Sequence, residues 1–436
     1  MSMHQIPSAP ILGQGWYILP EGDLAQHSVC VGAPGSGKTE TLLRIAYGAA
    51  KVYNWQVFFL DAKGDRFTAV RFVAAMLAAR KSRIKMFPAA SYNGWNGDGN
   101  ALLNRLIVIE DFSDSYYRSI AKLMLSLAIN APGGLPKSSQ ELMTRLRLDT
   151  LFALYQGLPE EAEVAQIRKQ DAAGVYNRYR AFFAMLGGRL DGPFAYENVD
   201  AAYLLLDGLA LREEAAGLGR YFVEDFAHFV AKRKPQDRKV LLLIDDFSAL
   251  MMHTDAVNLF ERVRAYGASV IVSSQSYAAL GRTTKDAERI LNAANMLILH
   301  RCSAPEPLVV HAGRQKQVQA SWRMLENVST GQGMVRLNDA FLVPPDEVRR
   351  LHRGEAFIIA YGRAHKVSVA PLLNYPQAIK DAQNLIRRDE LVQSPTKALP
   401  PATANAPAAS NQQPQQPGAA PPSSTPPQKK NPFKVN

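Results

Sequence analysis

The stretch "GAPGSGKTET" (32–41), directly after the apolar run "SVCV", constrains the fold of this chain more than any other. It fits G-x-x-x-x-G-K-[ST], with Gly32, Gly37, Lys38 and Thr39 at the fixed places. Gly32, Gly35 and Gly37 let the backbone turn tightly. The N–H groups of the loop, that of Ser36 included, and the positive end of a following helix can then surround a polyphosphate. Lys38 is placed to reach the outer phosphates, and the Thr39 hydroxyl to ligate Mg²⁺. A strand, a glycine turn and a helix in that order are the context this chemistry requires.

The remainder of the chain alternates strand and helix patterns. "WQVFFLDAKGD" (55–65), "AAYLLLDG" (201–208), "KVLLLIDDFSAL" (239–250) and "ASVIVSSQS" (268–276) read as buried strands that end in turns. Helical spacing marks "LGRYFVEDFAHFVAKRK" (218–234) and "AVNLFERVRAY" (256–266). The expected fold is therefore α/β, an open sheet with crossover helices. Residues 112–198 instead show apolar residues at helical spacing with few strand signals. They are read as an all-α insertion that divides a nucleotide-binding domain into 1–111 and 199–392.

From about residue 393 the composition changes, with eleven of the 27 prolines and no acidic residue beyond Ser394. Such a segment cannot bury enough apolar surface to offset the entropy of ordering, so 393–436 is expected to be a disordered tail. No segment reaches roughly 18 uninterrupted apolar residues, so no membrane span is expected. With only Cys30 and Cys302 there is no disulfide framework, and a reducing, cytoplasmic compartment is expected. The net charge of +11 suits a polyanionic partner. The histidines are scattered, without metal-ligand spacing.

Further chemistry is expected at strand ends. "VLLLIDD" finishes in two acids: Asp245 to hold Mg²⁺ through water, and Asp246 to orient or deprotonate the attacking water. Gln275, at the end of the next strand, is placed to sense the terminal phosphate. Arg264 lies eleven residues earlier, on the preceding helix, where an arginine can enter a neighbouring subunit's site or simply stand on the helix surface. In the insertion, Arg168, Lys169, Arg178 and Arg180 stand among aromatic residues, a pairing suited to phosphate contact as well as to an ordinary helix surface.

Together "VGAPGSGKTET", "FFLDAKGD", "GNALLNRL", "LLLIDDFSAL", "RAYGASVIVSSQS" and "FLVPPDEVRRLHRGEAFIIAYGR" resemble the coupling-protein ATPases of type IV secretion and conjugation. These are the TraG/TraD/VirD4-like branch of the FtsK/HerA superfamily of hexameric DNA translocases. The likeness runs over about residues 20–370 in order. It implies a RecA-like P-loop domain carrying an all-α domain, assembled as a homo-hexamer that threads DNA at the cost of ATP. On matching positions it implies nucleotide and Mg²⁺ contacts for Lys38 and Thr39, the metal-side acid for Asp245, the sensor for Gln275 and the finger for Arg264. The family's second acid is usually glutamate, whereas Asp246 is one methylene shorter. The family's N-terminal membrane helices have no counterpart here, so recruitment to the inner face of the membrane would need a relaxase, secretion-channel or membrane partner. Two other functions share these motifs: a secretion ATPase or adaptor that recruits protein substrates, and a HerA-like motor paired with a nuclease.

Overall fold

The computed structural model describes residues 19–206, 212–234, 236–250, 263, 266–325, 328–372 and 376–393. Nine of the described strands form one sheet. In chain order they are β1 (Ser28–Val31), β2 (Gln56–Asp61), β3 (Ile84–Phe87), β4 (Ala201–Leu205), β5 (Val240–Asp245), β6 (Ala268–Ser274) and β7 (Met296–His300), then β10 (Glu355–Ala360) and β11 (Arg363–Ser368). Two longer strands, β8 (Arg314–Leu325) and β9 (Val328–Phe341), pair only with each other as an antiparallel ribbon.

The sheet order is β11-β10-β7-β1-β6-β5-β2-β4-β3. From β7 to β3 every pairing is parallel, while β10 and β11 close one edge antiparallel. All residues of β1, β2, β5, β6 and β7 are buried, as expected of strands covered on both faces. Their alternation divides the core in two. Val29, Val31, Phe58 and Leu60 face one apolar cluster, and Cys30, Val57 and Phe59 face the other.

The second cluster is covered by α2 (Lys38–Val52) and α3 (Arg66–Ala78), which follow a short helix α1 (Glu21–Leu24). The first is covered by helices between β3 and β5. They are α4 (Gly99–Ile107), α5 (Ser115–Ile129), α6 (Ser139–Arg145), α7 (Leu148–Tyr155), α8 (Glu161–Ala165), α9 (Lys169–Leu186) and α10 (Arg212–Ala231). Asp98, Asp114 and Ser138 cap the first turns of α4, α5 and α6 by accepting a backbone N–H. Gly187, at φ 55°, stops α9.

Residues 112–198 contain five of these helices, and no strand longer than an isolated bridge lies among them. The helically spaced sequence "SSQELMTRLRLDTLFALYQGL" forms two helices, α6 and α7, which meet at Leu146–Arg147. Leu125, Ala128 and Phe182 of this bundle belong to the same apolar cluster as Phe58 of the sheet. The helices therefore share the core of the sheet.

A buried ion pair joins the segments that precede and follow this bundle. Arg105 of α4, fully buried, pairs with Asp225 of α10 at 2.5 Å, and Asp225 also accepts the hydroxyl of Tyr92. No helix among the described residues is long and apolar enough to cross a membrane. Apart from Gln393, which ends the helix Pro376–Gln393, the expected tail lies outside the described residues.

Candidate nucleotide-binding site

Between Val31, the last residue of β1, and Lys38, the first of α2, the chain makes the glycine turn. Gly35 and Gly37 adopt φ values of 72° and 115°, where a side chain would be strained. The loop is anchored from the strands beside it. The Gly32 N–H donates to the Ser274 carbonyl at 3.1 Å, the Ala33 N–H to that of Arg301 at 2.7 Å, and the Ser36 carbonyl accepts from Gly354 N–H at 2.8 Å. A Cβ on Gly32 would lie 2.5 Å from the Cβ of His300. Only glycine fits against that floor.

Lys38 lies largely buried, and its ammonium donates to the carbonyls of Gly32 (2.6 Å) and Ala33 (3.2 Å) of its own loop. Burial pushes its pKa below the ordinary value. The charge of Lys63 acts in the same sense, and Asp245 and Asp246 oppose it. Thr39 donates its hydroxyl to Asp245 Oδ2 at 2.6 Å, although the two are 206 positions apart. The parallel pairing of β1 with β6 and β6 with β5 brings them together. Ser273 of β6 donates its hydroxyl to the other oxygen, Asp245 Oδ1. A hydroxyl and a carboxylate in contact are hard oxygen donors, the set that fits Mg²⁺.

Asp246 sits one residue past β5 at φ 58°, a left-handed conformation that aspartate tolerates better than most residues. Its N–H is held by Asp245 Oδ1 (3.1 Å) and Ser273 Oγ (3.0 Å). Its carboxylate accepts from Gln275 Nε2 at 3.2 and 3.4 Å, and Lys63 Nζ stands 3.6 Å from Oδ2. Lys38, Thr39, Asp245, Asp246 and Gln275 thus converge at the C-terminal ends of adjacent parallel strands, where open α/β sheets bind ligands. Arg264 lies outside the described residues.

Three neighbours were not read from the sequence: Lys63, Ser273 and His300. Lys63 belongs to the turn after β2. There the buried Asp61 accepts the N–H groups of Lys63 (2.9 Å), Gly64 (3.2 Å) and Asp65 (2.8 Å) and the hydroxyl of Tyr203 (2.7 Å). Burial still holds the Asp61 pKa above the ordinary carboxylate range. His300 ends β7 beneath the loop. Its Nε2 meets Thr41 Oγ1 of α2 at 3.0 Å, and its Nδ1 meets the Glu355 carbonyl at 2.9 Å. A carbonyl only accepts, so Nδ1 carries the proton and Nε2 accepts from Thr41. Burial, with Lys38 nearby, lowers the His300 pKa to about 4 against the hydrogen bond to Glu355. The run "MLILH" has the same apolar-then-polar form as the strands that were recognised.

In the helical region Arg168, Lys169, Arg178 and Arg180 are all exposed, whereas Tyr179, Phe182 and Phe183 point into the core. Arg168 pairs with Asp171 at 2.9 Å, and Arg178 lies 5.4 Å from the Phe112 ring centre. The aromatic residues of α9 nearest these charges are packing groups, and Tyr116 and Tyr117 are the more exposed rings.

No protein-family model matches the chain, and no curated protein matches it in sequence. Solved structures match in fold. The bacterial conjugative coupling protein TrwBdeltaN70, unbound, superposes with a TM-score of 0.62 at 15% identity, over 84% of this chain and 89% of that one. Plasmid coupling protein TrwB in complex with ADP and Mg²⁺ gives 0.62 at 16%, over 85% and 91%. VirB4 of Thermoanaerobacter pseudethanolicus gives 0.56 at 12%, over 87% and 99%. The chain has the RecA-like P-loop fold of the coupling protein TrwB and of VirB4.

Proposed function

We propose that this chain is an ATPase that moves DNA, as the coupling motor of a conjugative or type IV secretion-like transfer system. The observation that carries the reading is the contact of Thr39 with Asp245 beside Asp246 and Gln275, at the mouth of the glycine turn. The same fold in TrwB was solved with ADP and Mg²⁺ and with a non-hydrolysable ATP analogue, which supports ATP and Mg²⁺ here.

In this mechanism Lys38 exchanges the carbonyls of Gly32 and Ala33 for the outer phosphate oxygens of ATP. Thr39 and Asp245 hold Mg²⁺, which when bound neutralises charge on those oxygens. Gln275 aligns a water, and Asp246 takes its proton as the water oxygen bonds to the terminal phosphorus. The bond from that phosphorus to the bridging oxygen breaks, and ADP leaves with the electron pair. Arg264, acting from a neighbouring subunit, stabilises the charge in transit. The assembly is a homo-hexamer, with DNA held by a charge of +11 and by the exposed arginines of the helical region. A relaxase or secretion-channel protein supplies the contact with the membrane.

The test is the ATPase rate with no DNA, single-stranded DNA and duplex DNA, read together with particle mass. Stimulation by DNA in a six-fold particle is expected. A DNA-independent rate would turn the reading to a motor acting on protein substrates. No hydrolysis under any condition would remove the enzyme assignment.

A further inference from the structure

Lys63 has no structural task that its position explains. Its backbone is fixed by the Asp61 carboxylate, yet its side chain is about half exposed (49%) and reaches across the strand ends to Asp246. The charge of Lys63 is near enough to act on Lys38. Asp246 meanwhile holds Gln275 on both oxygens, Lys63 on Oδ2 and Ser248 Oγ on Oδ1 at 3.4 Å. A carboxylate offers about four lone-pair directions, so this one has little capacity left for a water.

We propose that Lys63 distinguishes ATP from ADP: in the empty site it rests on Asp246, and the terminal phosphate draws it off, which leaves the Asp246 carboxylate open to the attacking water. The inference rests on the ATPase reading and adds to it a switch that keeps the base occupied until the phosphate to be cleaved has arrived. The driving force is charge. A terminal phosphate carries more negative charge than one carboxylate, and Lys63 has a flexible stem and an exposed path to it. ADP lacks that phosphate and leaves Lys63 where it is.

The experiment compares the dissociation constants of a non-hydrolysable ATP analogue and of ADP, both with Mg²⁺, for the wild-type chain, Lys63→Ala and Lys63→Arg. Loss of one charge-assisted hydrogen bond to phosphate should weaken the ATP analogue by about tenfold or more. ADP should change less than about twofold, and Lys63→Arg should restore most of the difference. A packing role for Lys63 would weaken both nucleotides together, so an unchanged ATP-to-ADP ratio in Lys63→Ala overturns the proposal. Lys63→Met, which keeps the length of the stem, repeats the measurement should the alanine variant melt early. Failure of the underlying reading looks different: the wild-type chain would then bind neither nucleotide, or Lys38→Ala would bind both as well as the wild type.

Discussion

Protonation of His300 should destabilise this protein in mild acid, and the size of the effect follows from its burial. The imidazole is wholly buried with both ring nitrogens engaged, and burial lowers its pKa from 6.5 to about 4. In the unfolded chain the ring titrates near 6.5, so between that value and about 4 the unfolded state binds the extra proton. Stability from neutral His300 is thus fully present above 6.5 and is lost as pH falls toward about 4. The complete loss is about 3 kcal/mol, and about 2 kcal/mol of it has gone by roughly pH 5. His300→Gln keeps an acceptor for Thr41 but does not titrate. At neutral pH it should cost about 1–2 kcal/mol for the lost bond to Glu355. Urea unfolding of both proteins without nucleotide, near pH 7.5 and pH 5, isolates the histidine because every carboxylate is common to the pair. The wild type should lose about 2 kcal/mol more than His300→Gln over that interval. Parallel losses would mean that His300 takes its proton in place, and the burial argument would fail.

Other outcomes follow from the same geometry. Asp246→Asn should bind nucleotide as the wild type does while its turnover falls about 10²–10⁴-fold, measured as kcat against the ATP analogue's Kd. Gly32→Ala sets a Cβ 2.5 Å from His300 Cβ and 2.7 Å from Ser36 Oγ, so equilibrium binding of ADP should be lost although far-ultraviolet circular dichroism is retained. Arg105→Ala leaves Asp225 buried without its cation and should cost about 3–5 kcal/mol in denaturant unfolding. Burial raises the thiols of Cys30 and Cys302 to about 12 and about 11, so neither should react with a thiol reagent at pH 8 until the chain is unfolded.

The parts of the site that were legible in the sequence are those whose chemistry is written in adjacent residues. "GAPGSGKT" states its own loop geometry, and "LLLIDD" and "VSSQS" announce strand ends by an apolar run that turns polar. Lys63 and His300 were not legible because their roles come from strand order. Lys63 meets Asp246 only because β2 lies beside β5, and His300 floors the loop only because β7 lies beside β1. The helical character of 112–198 showed in its spacing, but its breaks did not. Leu146 and Arg147 carry no glycine or proline to mark the end of α6. The antiparallel edge was also missed. β10 and β11 are joined by Tyr361 and Gly362, and their mixed burial reads weakly beside the fully buried central strands.

The position of β1 bears on how the chain is made. Its two partners, β6 and β7, are paired through Ser28 with Ile271 and Met296, more than two hundred residues downstream. A ribosome has therefore synthesised most of the molecule before either neighbour of β1 exists. Until then the glycine turn lacks the carbonyls of Ser274 and Arg301 and the floor of His300. Contacts this remote in sequence form slowly, because the closure of so long a loop precedes any gain from it. The nascent chain consequently passes through its long growth with the "SVCV" strand unpaired, and the glycine turn gains these anchors only once Arg301 has been made.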